Sequence, residues 1–368
     1  MSGATRLFDV MAALPPDISV DEAEAIARER WGIQAVAQPL SGERDRNFHL
    51  RAADGREFVL KFANPAEDAG LRDMQIEALR HVAMSDPGLA VPRAVRLPDG
   101  AIETPVVHAS GVVLRVRLLT WVGGQQLGTA RPSAAQRTAY GATVARLQHA
   151  LAGFDHAARD HVMVWDLQHA PKLRDIAYAI PHDGAREVLG ALLDDYDARV
   201  VPALPDLPRQ IVHNDLNRMN VLVDPADHDR IAGVIDFGDI AHTATIFDVA
   251  IAAVAVPGPD MPMAVALGHF LRGYHAGRTL LPVEIELLPQ LMATRIALGM
   301  TLASWHRHTQ PDNPHFDLTG AAIERRLELI GKLRAPGLPR ALREAIEAVF
   351  PSGRSGATLR HSTEEGRP

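Results

Sequence analysis

The sequence predicts an α+β fold in two lobes, a mainly antiparallel sheet followed by a larger helical region. Three observations carry that prediction. Strand-like segments joined by a hairpin signal fill much of the chain before residue 120. A connector, Trp121-Val122-Gly123-Gly124, then interrupts the pattern. From about residue 133 apolar residues recur at helical spacing. At 368 residues the chain exceeds one compact core. The expected division is a sheet lobe over 1–119, a hinge over 120–124, a helical lobe over 125–350 and a disordered tail over 351–368. That tail has too few apolar residues to order itself.

The elements follow in order. Residues 19–31 read as a helix, opened by a capping box of Ser19 and Glu22. Pro39-Leu40-Ser41-Gly42 breaks into a polar loop, and Phe48-His49-Leu50 resumes as a strand. Asp54-Gly55 is a hairpin turn signal, with Glu57 to Phe62 as the return strand. Residues 67–84 form a helix with apolar positions at Leu71, Met74, Ala78, Leu79 and Val82. Strands follow near 106–108 and over 112–120. Beyond the connector, helices are predicted over 133–152, 170–180, 184–202, 246–256, 260–276, 283–308 and 317–333. A short, turn-rich, β-branched stretch over 210–237 separates them into two groups.

Composition excludes several functions. The net charge of −7 disfavours nucleic acid, and no basic, aromatic patch offsets it. With no cysteine, disulfides and thiolate metal sites are ruled out. Met1 to Pro16 lacks the pattern of a signal peptide, and the longest apolar run, Val249 to Val256, is far short of a membrane span. The expectation is a cytoplasmic protein without nucleic-acid or membrane partners.

The densest signal lies in the 210–237 stretch. Ile211 to Val223 contains His213-Asn214-Asp215 and, five residues after Asp215, Asn220. Val234-Ile235-Asp236-Phe237-Gly238 follows, with a turn at Asp224-Pro225-Ala226-Asp227 between. Two short strands around that turn bring Asn220 and Asp236 together. A lone His-x-Asp or Asp-x-Gly is ordinary turn chemistry. In this order and spacing they suit phosphoryl transfer, which needs an oriented nucleophile and neutralised phosphate charge. Asp215 is the candidate catalytic base, accepting the proton of an acceptor hydroxyl. Asn220 and Asp236 offer hard oxygens of the kind Mg²⁺ prefers. His213 is expected to brace the loop. Upstream, Lys61 lies on a strand from which its ammonium can reach phosphate oxygens. Glu77 on the next helix is the expected ion-pair partner of Lys61, preferred over Glu67, Asp68 and Asp73 for its mid-helix position beside the apolar stripe. The loop from Ser41 and Gly42 to Asn47 and Phe48 is a candidate cover for phosphates, though an ordinary solvated turn accounts for it equally.

These residues together resemble the aminoglycoside phosphotransferase and choline kinase superfamily, over roughly residues 20–335. The resemblance implies a protein-kinase-like fold, Mg²⁺, and ATP or GTP as phosphate donor. It places Trp121 and Val122 in the nucleotide-binding hinge, and Asp248, in Phe247-Asp248-Val249-Ala250, as a brace for the catalytic loop. Many relatives have glycine where this chain has Asn214. Protein kinases proper fit less well, because the glycine triplet and an Ala-Pro-Glu segment are absent. Within the superfamily, several stretches look like the hydroxylysine kinase branch. They are Arg117 to Gly124, Trp165-Asp166-Leu167, Asp236 to Asp239, Arg295-Ile296-Ala297, Ser304-Trp305 and Pro311-Asp312-Asn313-Pro314.

That branch implies phosphorylation of 5-hydroxy-L-lysine or a similar small-molecule amino alcohol. The branch also includes kinase-like domains joined to phospho-lyases of the class III aminotransferase type, and a separate PLP-dependent phospho-lyase acting on the product is the hypothesis that follows. Asp239, Asp166, Trp165 and Trp305 are candidate contacts for a cationic amine. Core packing is the favoured reading for Trp305, and a supporting place beside the metal is an equal one for Asp239. Arg295 is expected either to bind a substrate carboxylate or to pair with a nearby helix acid. Homoserine, choline, ethanolamine and aminoglycosides are alternative acceptors. A catalytically inactive kinase fold serving as a binding module would have lost Lys61, Asp215, Asn220 or Asp236, and all four are present. A metal hydrolase built on the 17 histidines finds no suitable spacing.

Overall fold

The computed structural model describes residues 13–42, 44–310 and 319–348. Most of the Met1–Pro16 segment, the Pro311–Pro314 stretch and the expected tail lie outside them. Helix α1 (Val20–Trp31) begins at the predicted capping box, Ser19 with Glu22. Strands β1 (Ala35–Leu40), β2 (Arg46–Ala52) and β3 (Glu57–Ala63) follow, and β2 and β3 form the Asp54-Gly55 hairpin. Helix α2 (Ala69–Ser85) starts from the N-cap Asp68. Strands β4 (Ala94–Val95), β5 (Glu103–Val107) and β6 (Val113–Thr120) complete an antiparallel six-stranded sheet, ordered β1-β2-β3-β6-β4 with β5 also on β6.

Strand alternation divides the sheet's faces. Phe48, Leu50, Phe58, Leu60, Phe62, Val116 and Leu118 are buried in one cluster with Ile18, Ala23, Ile26 and Ala27 from α1 and its approach. The intervening positions Asn47, His49, Val59, Lys61, Arg117 and Leu119 therefore share the opposite face. Helix α2 packs on that side. Its Leu71, Met74, Ala78, Leu79 and Val82 join the larger helical core rather than the sheet's own cluster.

After the connector, β7 (Gln125–Gln126) pairs with β9 (Val221–Val223), which pairs with β10 (Ile231–Val234). Strand β8 (Arg209–Val212) pairs with β11 (Ala241–Ala244), a strand with no sequence signal strong enough to predict it. The helices are α3 (Ala134–Ala150), α4 (Asp183–Asp195), α5 (Thr245–Ala253), α6 (Met263–Gly277), α7 (Pro282–Thr309), α8 (Gly320–Leu333) and α9 (Leu338–Glu347).

The predicted helix over 170–180 is a 3₁₀ segment, Leu167–Ala179. The predicted helix over 184–202 is α-helical only to Asp195. It then widens into a π turn over Tyr196–Val200 and tightens to 3₁₀. Pro202 explains the change, because it lacks the N–H that would continue the ladder. Helix α9 has no counterpart in the sequence reading. Pro336 and Pro339 mark it as broken, yet Pro339 sits in the first turn, where backbone N–H groups have no helical partner to lose.

Helices α3 and α6 cross with their backbones nearly touching. A Cβ built on Gly141 would lie 1.9 Å from Phe270 O, and one on Gly273 would lie 1.9 Å from Thr138 O. Gly141→Ala should therefore cost at least about 3 kcal/mol in denaturant unfolding, through overpacking against backbone. Gly190→Ala, mid-helix in open space, should be neutral or stabilising by up to about 1 kcal/mol.

Candidate active site

The loop between β8 and β9 carries His213, Asn214, Asp215 and Asn220, and the residues after β10 carry Asp236 to Asp239. Backbone pairing joins them, since Ile235 N donates to Asn220 O at 2.9 Å. His213 is fully buried. Its Nε2 donates to Ile235 O at 3.0 Å, its Nδ1 accepts from Asp215 N at 3.3 Å, and its ring meets Phe237 edge-on. Asn214 and Asp236 have φ values of 63° and 64°, in the left-handed region. Asn and Asp tolerate it best after glycine, which accounts for asparagine at position 214. Asp248 on the wholly buried α5 accepts from Asn214 N at 2.9 Å. Burial pushes its carboxyl up to about 6.

Asp215 Oδ2 accepts from Asn220 Nδ2 at 2.7 Å, and both its oxygens accept from Asn217 Nδ2 at 3.0 Å. Arg295 Nη2 lies 3.3 Å from Oδ1. Burial and then the charge of Asp239 push the Asp215 carboxyl up to about 7, against the pull of Arg295 and Asn217. Such a carboxylate can take a proton near neutral pH. The amide N–H₂ of Asn220 is spent on Asp215, and among the described residues no donor reaches its Oδ1. Tyr140 on α3 supports the loop from beneath by donating to Leu216 O. Nothing in the sequence marks it.

Lys61 lines one small cavity with Gln75, Arg117, Leu119, Asp236 and Gly238. Its partner is not Glu77. Lys61 Nζ lies 2.8 Å from Asp45 Oδ2, whereas Glu77 faces away and pairs with Arg80 at 2.5 Å. Burial disfavours the ammonium, but Asp45 and Asp236 outweigh it and hold its pKa above the ordinary value. The rivals Asp68 and Asp73 cap α2 and pair with His156, respectively. The polar α2 residue lining Lys61's cavity, beside Ile76 and Leu79, is Gln75, which donates to Glu67 Oε1 and Gly238 O and accepts from the buried Arg117. Asp45 was legible after all. The Asp54-Gly55 turn sets Asn47 opposite Lys61, which puts Asp45 diagonally beside it on the same face.

Gly42 closes the turn above. A Cβ there would lie 2.5 Å from Asp45 O and 3.1 Å from Asn47 Nδ2. Ser41 precedes it, outside the strands. In the connector, Trp121 stacks on His49 with ring centres 3.9 Å apart, and Val122 packs where a Cβ on Gly233 would fall. Of the expected amine contacts, Asp239 pairs with Arg44 of the Ser41–Asn47 loop. Asp166 is 1% exposed, caps the 3₁₀ segment and accepts from Thr243 Oγ1 at 2.9 Å. It is a structural cap and not a substrate contact. Trp165 lies under Arg295, 4.7 Å from its ring centre. Trp305 is buried in the core.

A model described as "Phosphotransferase enzyme family" (APH) matches residues 36–281, more than half the chain. The chain belongs to that family. Hydroxylysine kinase from Danio rerio is 25% identical over 313 residues, 82% of this chain and 88% of that protein. The structure of a microcompartment-associated aminopropanol kinase aligns with a TM-score of 0.66 over 90% of this chain and 98% of that one, at 17% identity. Amicoumacin kinase in complex with AMP-PNP and Ca²⁺ aligns with a TM-score of 0.60 over 85% and 88%, also at 17% identity. The fold of this phosphotransferase is thus protein-kinase-like, and the protein is a small-molecule kinase. Among its described residues no helix is long and apolar enough to cross a membrane.

Two outcomes test the geometry. Lys61→Ala should lower kcat/KM for the nucleotide by ~100-fold, while Glu77→Ala should change it by less than about twofold, read from steady-state kinetics. For Asp248, a folded pKa near 6 against an ordinary 3.8 means stability is lost as pH rises through that window. Asp248→Asn keeps an acceptor for Asn214 N but cannot ionise. Relative to the unmodified protein it should gain up to about 3 kcal/mol between pH 4 and 7, measured by urea unfolding across pH.

Proposed function

We propose that this phosphotransferase moves the γ-phosphate of Mg²⁺-bound ATP or GTP onto the hydroxyl of a small amino alcohol of the 5-hydroxylysine kind. The observation that carries the reading is the joint position of Asp215, Asn220 and Asp236. Asp215 hydrogen-bonds Asn220 directly, and Asn220 is backbone-paired beside Asp236. In this reading Asp215 orients the acceptor hydroxyl and takes its proton. Asn220 Oδ1 and the Asp236 carboxylate would hold the cation, which supplies charge neutralisation to the phosphates.

The donor set fits Mg²⁺. It is one amide oxygen and one carboxylate, both hard, and Mg²⁺ commonly completes its octahedron with phosphate oxygens and water. Among the described residues no cluster of three His, Cys, Asp or Glu side chains could hold a metal alone, so the site suits a cation that arrives with a nucleotide. Lys61 would meet phosphate oxygens from the sheet side. Trp121 and Val122 would border the base, and Ser41, Gly42 and Asn47 would lie over the phosphates. His213 and Asp248 brace the reacting loop. The hydroxylysine kinase relative supports the acceptor class.

The test is nucleotide consumption with Mg²⁺, using ATP and GTP in turn, against 5-hydroxy-L-lysine, L-homoserine, choline, ethanolamine and kanamycin. Strong turnover with an amino alcohol is expected. Asp215→Asn should lower kcat by at least ~1000-fold with nucleotide affinity within about threefold, and Asp236→Ala should weaken Mg²⁺–nucleotide binding itself. Full turnover by Asp215→Asn would remove its role as the base.

A further inference from the structure

We infer that the acceptor carries a carboxylate close to its reactive hydroxyl, bound by Arg295 and Trp165. The inference rests on the kinase reading and narrows its substrate class to hydroxy acids, hydroxy amino acids foremost. Arg295 projects from α7 and stacks over Trp165, with its guanidinium carbon 4.7 Å from the ring centre. The stack fixes the guanidinium plane and leaves its edges to bond. One nitrogen, Nη2, reaches Asp215 at 3.3 Å. Arg295 Nε and Trp165 Nε1 are both buried, and among the described residues neither has a hydrogen-bond partner.

Two buried donors without acceptors are costly in a folded protein, and a ligand that supplies acceptors removes that cost. A carboxylate matches them in charge and, toward the guanidinium, in geometry. An ammonium would meet a cation and an indole N–H. The acids that a purely cationic acceptor needs are committed elsewhere, Asp239 to Arg44 and Asp166 to Thr243 and Gln168. Because Arg295 also touches Asp215, the carboxylate lies beside the hydroxyl that Asp215 receives.

The experiment uses matched pairs that differ by the carboxylate alone: L-homoserine with 3-aminopropan-1-ol, and 5-hydroxy-L-lysine with 1,5-diaminopentan-2-ol. The carboxylated member should be used with a kcat/KM at least ~100-fold higher. Arg295→Met should raise its KM by ~100-fold and change the KM of its decarboxylated counterpart by less than about threefold. Its contact with Asp215 makes kcat fall for both members, so the KM split is the informative readout. Trp165→Phe keeps the stacking face and loses only the N–H. It should raise KM by roughly tenfold, again for the carboxylated member only. Calorimetric binding of each pair to protein loaded with Mg²⁺ and AMP-PNP is the readout independent of chemistry. Equal use or equal binding of both members, or equal KM losses on both in Arg295→Met, overturns the inference. Phosphorylation of 3-aminopropan-1-ol as readily as homoserine does so while leaving the kinase reading intact. Failure to bind Mg²⁺–AMP-PNP, with no alcohol phosphorylated, overturns the kinase reading instead.

Discussion

The hydrogen bond from Asn214 N to Asp248 Oδ1 is the contact on which the His213–Asn220 loop hangs. It turns the chain at the one residue of the His213–Asp215 triplet with a left-handed backbone, so His213 and Asp215 leave the turn on different courses. His213 goes inward and ties the loop to Ile235. Asp215 goes outward and keeps part of its carboxylate exposed. Tyr140 closes the arrangement from α3 through Leu216 O. Asp248 performs this in a wholly buried helix, where its carboxyl is pushed up to about 6. Stability is given up there for the placement of a backbone N–H, a trade that recurs at functional sites.

Charge in the cleft is arranged in crossed pairs. The sheet side contributes Lys61 and Arg117, and the floor contributes Asp215, Asp236 and Asp239. Adjacent residues of one loop reach in both directions. Asp45 meets Lys61 above, and Arg44 meets Asp239 below. The position of that loop therefore bears on both sides of the site. Arg295 stands beside Asp215 as Asp45 stands beside Lys61, each setting an opposite charge against a side chain of the cleft.

What the sequence revealed follows physical range. The hairpin, the capping box of α1 and the His213–Asn220 loop with its paired turn are local, and residues close in the chain specify them. Strand β11 and the support from Tyr140 are long-range, and nothing near them in sequence records their partners. The expected roles of Asp166 and Glu77 failed for a related reason. A carboxylate's residue type gives no partner. Asp166 followed by Leu167 opens a 3₁₀ segment and is consumed as its cap. Asp45 lay within reach of inference, because turn register is local information that extends across a sheet.

The departure at α2 has an angular cause. Glu77 stands two positions after Gln75, about 200° around the helix, so the two cannot face the same cavity. Gln75 is the buried one. As a neutral amide it bridges Arg117, Glu67 and the Gly238 carbonyl, and so joins helix, sheet and the Asp236 loop without placing a charge against Lys61. The carboxylate bonded to Lys61 comes from the loop over the sheet and not from the helix beside it. The lysine is consequently registered by its own hairpin, whose turn sets the spacing of Asp45, Asn47 and Lys61. Helix α2 is left to anchor that hairpin to the helical core through Leu71, Met74, Leu79 and Val82.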